Sequence, residues 1–173
     1  MDPFSPSQFP TPIAEHFMFQ AYELAVSAMK HDEVPIGALL VNQQEILGCG
    51  ANGREKSGRT TAHAEIMALE DYNRRTGQWR LPPGTAIFTT VEPCLMCTGA
   101  LLWARADYVI YGCLDSRHAG LERVLPLIHH GVYDHRFKEV QGGVLGERCS
   151  QLMTGYFRAK RQEKSHPSAE VSR

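Results

Sequence analysis

The sequence predicts one layered α/β domain built on a mixed sheet. Short β-branched and apolar runs alternate with longer segments of helical periodicity. One pair of runs is joined by a tight turn, which makes an antiparallel hairpin, whereas a later run feeds directly into a helix and then another run, the layout of parallel strands. At 173 residues the chain is long enough to bury one sizeable core without covalent staples.

Residues 1–12 carry four prolines among serine and threonine, which predicts a loose arm. Ile13, Phe17, Ala21, Leu24, Ala25, Ala28 and Met29 then recur at helical spacing and predict a helix over 13–30. A strand over 35–41, a turn at Gln43-Gln44 and a strand over 45–51 follow as the hairpin. Good helix formers over 61–75 place Ile66, Leu69 and Tyr72 on one side, and Gly77 supplies the stop. The β-branched run 85–91 leads through Pro93, suited to a first helical position, into a helix over 94–104. A strand over 108–112, a short helix over 121–129, a weak strand over 137–144 and a last helix over 146–164 complete the domain, with a polar, disordered tail at 165–173. The domain proper is thus expected at 13–164.

Composition excludes several classes. With 43% hydrophobic and 21% charged residues the chain is neither globally disordered nor a fibre. A formal net charge of −1 means that any contact with a polyanion must use a local patch rather than the overall field. No apolar run reaches the ~20 residues of a membrane helix, and the start lacks a signal peptide pattern. The expectation is a cytoplasmic protein. Of five cysteines, Cys49, Cys113 and Cys149 stand singly among apolar or small neighbours, the setting of buried inert thiols. Cys94 and Cys97 form a Cys-x-x-Cys pair, which in a reducing compartment points to metal or redox chemistry.

Two segments carry the chemistry together: Thr61-Ala62-His63-Ala64-Glu65 and Val91-Glu92-Pro93-Cys94-Leu95-Met96-Cys97. A catalytic zinc takes three protein ligands and keeps the fourth position for water; His63, Cys94 and Cys97 make such a set. Two cysteines three apart at a helix start share a face, and the free N–H groups there favour thiolates. Glu65 can stand beside the water position as a proton shuttle if the helix begins near His63. The competing reading is a closed structural zinc knot, which needs Cys49, Cys113 or His118 as fourth ligand and has no use for Glu65.

At these residues the sequence resembles the cytidine-deaminase-like superfamily, whose His-x-Glu…Pro-Cys-x-x-Cys pattern it carries. It is more similar still to the bacterial tRNA adenosine deaminases, which convert the wobble adenosine to inosine. Glu33-Val34-Pro35-Ile36-Gly37-Ala38, Gly50-Ala51-Asn52, His135-Arg136, Gly142-Gly143-Val144-Leu145 and Tyr156-Phe157-Arg158-Ala159-Lys160-Arg161 extend the likeness. The resemblance implies a three-layer α/β/α fold with a mixed five-stranded sheet, one Zn2+ per subunit, a homodimer and a tRNA anticodon loop as substrate. By position it implies Glu65 as the acid/base, and Asn52, Ala64 and Asp115 as residues toward the nucleoside or its neighbour. On the last helix Arg158, Lys160 and Arg161 can neutralise phosphates while Tyr156 or Phe157 stacks on a base. The stretch Asp115–Arg123 departs from the small-residue loop of the tRNA enzymes, and Trp103-Ala104-Arg105 looks more like the guanine deaminases, with Trp103 expected as a core aromatic. The alternatives are therefore a zinc deaminase of a free base or nucleoside such as guanine, and a silent RNA-binding subunit.

Overall fold

The computed structural model describes residues 9–115, 120–131 and 133–165. Among them, helices α1 (Thr11–Lys30), α2 (Arg54–Ser57), α3 (Ala64–Thr76), α4 (Leu95–Ala104), α5 (Leu121–His129) and α6 (Gly146–Ser165) surround strands β1 (Gly37–Asn42), β2 (Glu45–Ala51), β3 (Ala86–Val91), β4 (Tyr108–Cys113) and β5 (Glu139–Gln141). The sheet order is β2-β1-β3-β4-β5. β1 runs antiparallel to both β2 and β3, whereas β3, β4 and β5 are mutually parallel neighbours, so the sheet is mixed.

Strand alternation divides the core into two. Leu39, Val41, Phe88 and Ile110 face one side and pack with Phe17, Met18 and Ala21 of α1 and Cys149 of α6. Ala38, Leu40, Ile87, Val109 and Tyr111 face the other and pack with Ala68 and Tyr72 of α3, Leu101 and Leu102 of α4, and Ile128 of α5. Helices on both faces of one sheet give the expected three-layer α/β/α architecture, and α3 and α4, at whose starts the expected metal ligands stand, share a layer.

Several boundaries differ from the sequence reading. α1 begins at Thr11, inside the expected arm, because Pro12 lies in the first turn, where its absent N–H costs nothing. Phe9 is buried and meets Phe88 edge-on at 5.2 Å. The last helix reaches Ser165; residues 1–8 and 166–173 lie outside the described set, as do Ser116–Ala119 with His118. The weak strand over 137–144 shortens to β5, since Gly143 turns the chain at φ 86°. α2 was not anticipated.

Two side chains are placed differently. Trp103 is 67% exposed, not a core aromatic. At 100° per residue it falls opposite the arc that carries the buried residues of α4, Leu101, Leu102 and Ala104 among them. Cys49 is exposed on the edge strand β2, whereas Cys113 is half-buried and Cys149 buried. Burial pushes the thiols of Cys113 and Cys149 up to about 11 and about 12, which keeps both protonated and unreactive at neutral pH.

Candidate metal centre

Two helix entrances form the centre. α3 starts at Ala64, with His63 before it in extended conformation at φ −78°, ψ 152°. α4 starts at Leu95, with Cys94 before it at φ −68°, ψ 171°, so Pro93 precedes the helix and does not occupy its first position. An extended residue at each entrance turns its side chain off the helix path. His63 and Glu65, only two residues apart, thereby reach one site.

His63 Nδ1 lies 3.6 Å from the sulfur of Cys94 and 3.6 Å from that of Cys97. All three ligand atoms lie within 4.8 Å of one another. Tetrahedral zinc with Zn–S and Zn–N bonds of ordinary length separates nitrogen and sulfur by about 3.6 Å, so the His63 nitrogen stands at the separation from both sulfurs that this ion requires. Among the described residues no further His, Cys, Asp or Glu joins this group; His118, named above as a candidate fourth ligand, lies outside them. Cys49 instead sits beside Asp71, and the Cys113 sulfur faces the Thr90 carbonyl oxygen, so neither closes a structural knot.

The electrostatics suit a cation. The hydrogen bond from Cys97, with help from His63, pulls the Cys94 thiol down to about 4. The same bond and burial push Cys97 up, so without metal the pair shares a thiolate and a thiol. The Cys94 contact raises His63. Glu65 is only 4% exposed, and burial lifts its carboxyl to about 7, into the range in which it can take and return a proton near neutral pH.

These groups open into a cavity of ≈ 390 Å³ walled by Ile36, Arg54, Val91, Glu92 and Asp115 besides the site residues. A second recess of ≈ 290 Å³ shares Val91 and Asp115 with it and is lined by Leu114, Met153, Phe157 and Arg161. Of the residues expected toward the substrate, the structure brings Asp115, Phe157 and Arg161 to this double groove. Asn52 is buried beside it, its N–H donating to the Ile36 carbonyl. Ala64 has no exposed surface and packs under β2. Tyr156 turns its hydroxyl to the Asp32 carbonyl, and Lys160 pairs with Asp32 and Glu163. Arg158 is exposed and does not line either recess. Arg54 was not anticipated from the sequence, and Glu92, quoted in the cysteine segment, was given no role of its own; Glu92 is buried and accepts the Asp115 N–H at 3.4 Å, which ties the chain just after β4 to the cysteine segment. The adjacency of Glu92 to Pro93-Cys94 was the available signal.

Residues 12–113 match the cytidine and deoxycytidylate deaminase zinc-binding region. The chain is 37% identical over 149 residues to a tRNA-specific adenosine deaminase of Streptococcus pyogenes serotype M1, covering 86% of each. It is 35% identical over 150 residues to the tRNA-specific adenosine deaminase of Bacillus subtilis strain 168, covering 87% of this chain and 92% of the relative. A solved tRNA:A34 deaminase, studied for A-to-I editing at the wobble position of transfer RNA, superposes with a TM-score of 0.73 at 33% identity, over 79% of this chain and 98% of that one. A guanine deaminase from Nitrosomonas europaea shares the fold, with a TM-score of 0.64 at 20% identity over 82% of this chain and 83% of that one.

Proposed function

The chain belongs to the cytidine and deoxycytidylate deaminase zinc-binding family, and we propose that within it this protein converts adenosine to inosine at the wobble position of a tRNA anticodon loop. The observation that carries this reading is the convergence of His63, Cys94 and Cys97 with Glu65 in one cavity, in a chain whose 33–37% identical relatives are named tRNA-specific adenosine deaminases.

His63, Cys94 and Cys97 hold the zinc. Once bound, the ion supplies a Lewis acid that makes water a competent nucleophile near neutral pH. The buried Glu65 carboxylate takes a proton from the attacking water and gives it to N1 of the adenine as C6 is hydrated; it then takes the proton of the new C6 hydroxyl and gives it to the C6 amino group, which leaves as ammonia while the C6 oxygen becomes the carbonyl of inosine. Water and adenosine thus yield inosine and ammonia. The base must leave its stack to enter the cavity, and a loop nucleotide does so at lower cost than a paired one.

Asn52 and Asp115 hold the target nucleoside and its neighbour. Phe157 and Arg161, which line the adjoining recess, receive the flanking base and phosphate. A tRNA substrate puts the protein in the cytoplasm, and no helix among the described residues is long and apolar enough to cross a membrane. We further propose a homodimer through the face that carries Trp79, 62% exposed, and Trp103, with Ile66, Leu69 and Ala100 between them.

Incubation of the purified zinc protein with total tRNA, read out as inosine at the wobble position and run beside free guanine, adenosine and cytidine, tests the reading. Inosine in tRNA with no ammonia from the free compounds is expected. Ammonia from guanine with intact tRNA adenosine overturns it.

A further inference from the structure

Glu33 is a buried carboxylate, 2% exposed, that the mechanism above does not use. It lies in the connection between α1 and β1. Asp32 before it adopts φ 64°, a left-handed conformation uncommon for a residue with a side chain. The N–H groups of Asp32 and Glu33 donate back to the carbonyls of Met29 and Ala28, and the chain doubles back under the end of α1. From α6, the Tyr156 hydroxyl reaches the Asp32 carbonyl at 3.1 Å and Lys160 reaches its carboxylate at 2.5 Å. This unusual turn directs the Glu33 side chain inward.

There it accepts three hydrogen bonds. Asn52 Nδ2 donates to Oε2 at 2.9 Å, the Glu55 N–H to Oε2 at 3.3 Å, and the Lys56 N–H to Oε1 at 2.7 Å. A carboxylate is purely an acceptor, so its two oxygens can serve all three donors at once. Commitment of the Asn52 nitrogen to Glu33 also decides the orientation of that amide. Its oxygen must face the other way.

Resting on the reading that Asn52 holds the target nucleoside, we infer that Glu33 is the positioning residue of that pocket: by binding the Asn52 amide nitrogen it leaves the Asn52 oxygen as a hydrogen-bond acceptor for the nucleoside, and by binding the Glu55 and Lys56 N–H groups it anchors α2, which carries Arg54 on the cavity wall. A donor on the nucleoside is therefore selected over an acceptor at that point. Glutamine at position 33 keeps the shape but offers one acceptor oxygen to three donors and turns its own NH2 group toward one of them.

The test uses the zinc-loaded protein with Glu33→Gln, Asn52→Asp, Asn52→Ala and the double variant Glu33→Gln/Asn52→Asp. Each is assayed for inosine in an anticodon stem-loop RNA per bound zinc, and each is combined with Glu65→Ala for the Kd of the same RNA without turnover. Both Glu33→Gln and Asn52→Asp are expected to lower kcat/KM per zinc about tenfold, the scale of one charge-assisted hydrogen bond, and to weaken RNA binding in parallel. The double variant exchanges donor and acceptor across the pair, though the Glu55 N–H still faces the NH2 group of the introduced glutamine, and it is expected to recover activity above either single variant. A merely structural Glu33 would change the folded fraction, not kcat/KM per zinc, and would not be rescued.

Glu33→Gln activity per zinc within twofold of wild type, or a double variant as poor as the two single losses combined, overturns the inference. If Asn52→Ala alone leaves kcat/KM and Kd unchanged, the reading of Asn52 fails and takes this inference with it. If Asn52→Ala is impaired and only the rescue fails, that reading stands and Glu33 alone is wrong. Should Glu33→Gln not fold, the Asn52 side-chain amide signal of the wild type decides: one proton shifted well away from free amide supports the bond to Glu33, and an ordinary pair of signals overturns it.

Discussion

Gly50 on β2 lies directly against the backbone of Ala64 at the start of α3, so close that a methyl group on Gly50 would overlap the Ala64 carbonyl oxygen and the Ala68 nitrogen. The contact presses the entrance of the ligand helix onto the sheet and fixes where His63 and Glu65 leave it. Gly50→Ala is therefore expected to push α3 outward, with a stability loss of about 1–3 kcal/mol and weaker zinc retention. Thermal unfolding with metal analysis after dialysis checks it; wild-type values in both would refute the coupling.

Glu65 and His63 separate proton transfer from metal binding. Glu65→Ala is expected to keep zinc and lose about 10²–10⁴ in kcat, the range for a positioned acid/base. His63→Ala loses both metal and turnover. Metal content beside inosine formation distinguishes them, and a zinc-loaded Glu65→Ala protein with wild-type turnover would remove Glu65 from the mechanism.

Chelation exposes the two cysteines unequally. Cys94 is drawn down to about 4 and is half-buried, whereas Cys97 is fully buried with its thiol pushed up. At pH 7, well above the Cys94 value, Cys94 is a thiolate, and iodoacetamide is expected to alkylate it before Cys97 in the apo protein. Zinc should protect both. Peptide mapping with time reads the order.

On α6 the basic residues divide by contact. Arg161 and Phe157 line the recess beside the metal cavity, but Lys160 is tied to Asp32 and Glu163. Arg161→Ala is expected to reduce the salt slope of RNA binding by about 1, and Lys160→Ala to change it less. Phe157→Ala is expected to weaken binding by ~1–3 kcal/mol, the usual value of one stacked base. Titrations across a salt series decide between Arg161 and Lys160.

Trp103 and Trp79 project from the α3–α4 layer beside Ile66 and Ala100. A charge at Trp103 would be desolvated in any pairing of two such faces. Trp103→Glu is expected to convert a dimer into a monomer in sedimentation while zinc content stays unchanged. A monomeric wild type would refute the dimer.

The layered fold and the metal set were legible in the sequence because both are local. Alternation along 85–91 and helical spacing along 13–30 report burial within a few residues. The pairing of His-x-Glu with Cys-x-x-Cys names a donor set whatever lies between. Where pattern and structure part, a distant contact decides. α1 begins at Thr11, with Pro12 in its first turn, where a proline-rich arm was expected, since Phe9 and α1 find a partner in Phe88 of the sheet. Trp103 is exposed although it is aromatic, because its neighbours on α4 take the core-facing arc.

By itself, then, the sequence determined the chemistry: an imidazole, two thiols and a carboxylate at spacings that suit zinc-assisted deamination, set within an alternating α/β pattern. Tertiary structure alone decided the geometry of their meeting and the wall around them. The 3.6 Å contact of His63 with Cys94 spans 31 residues, the bond from Asn52 to Glu33 spans 19, and α2 stands on a carboxylate from another part of the chain. Such contacts arise only when the sheet brings separate elements into register, and a hydrogen bond across that distance leaves no periodicity in the chain for a reader to find.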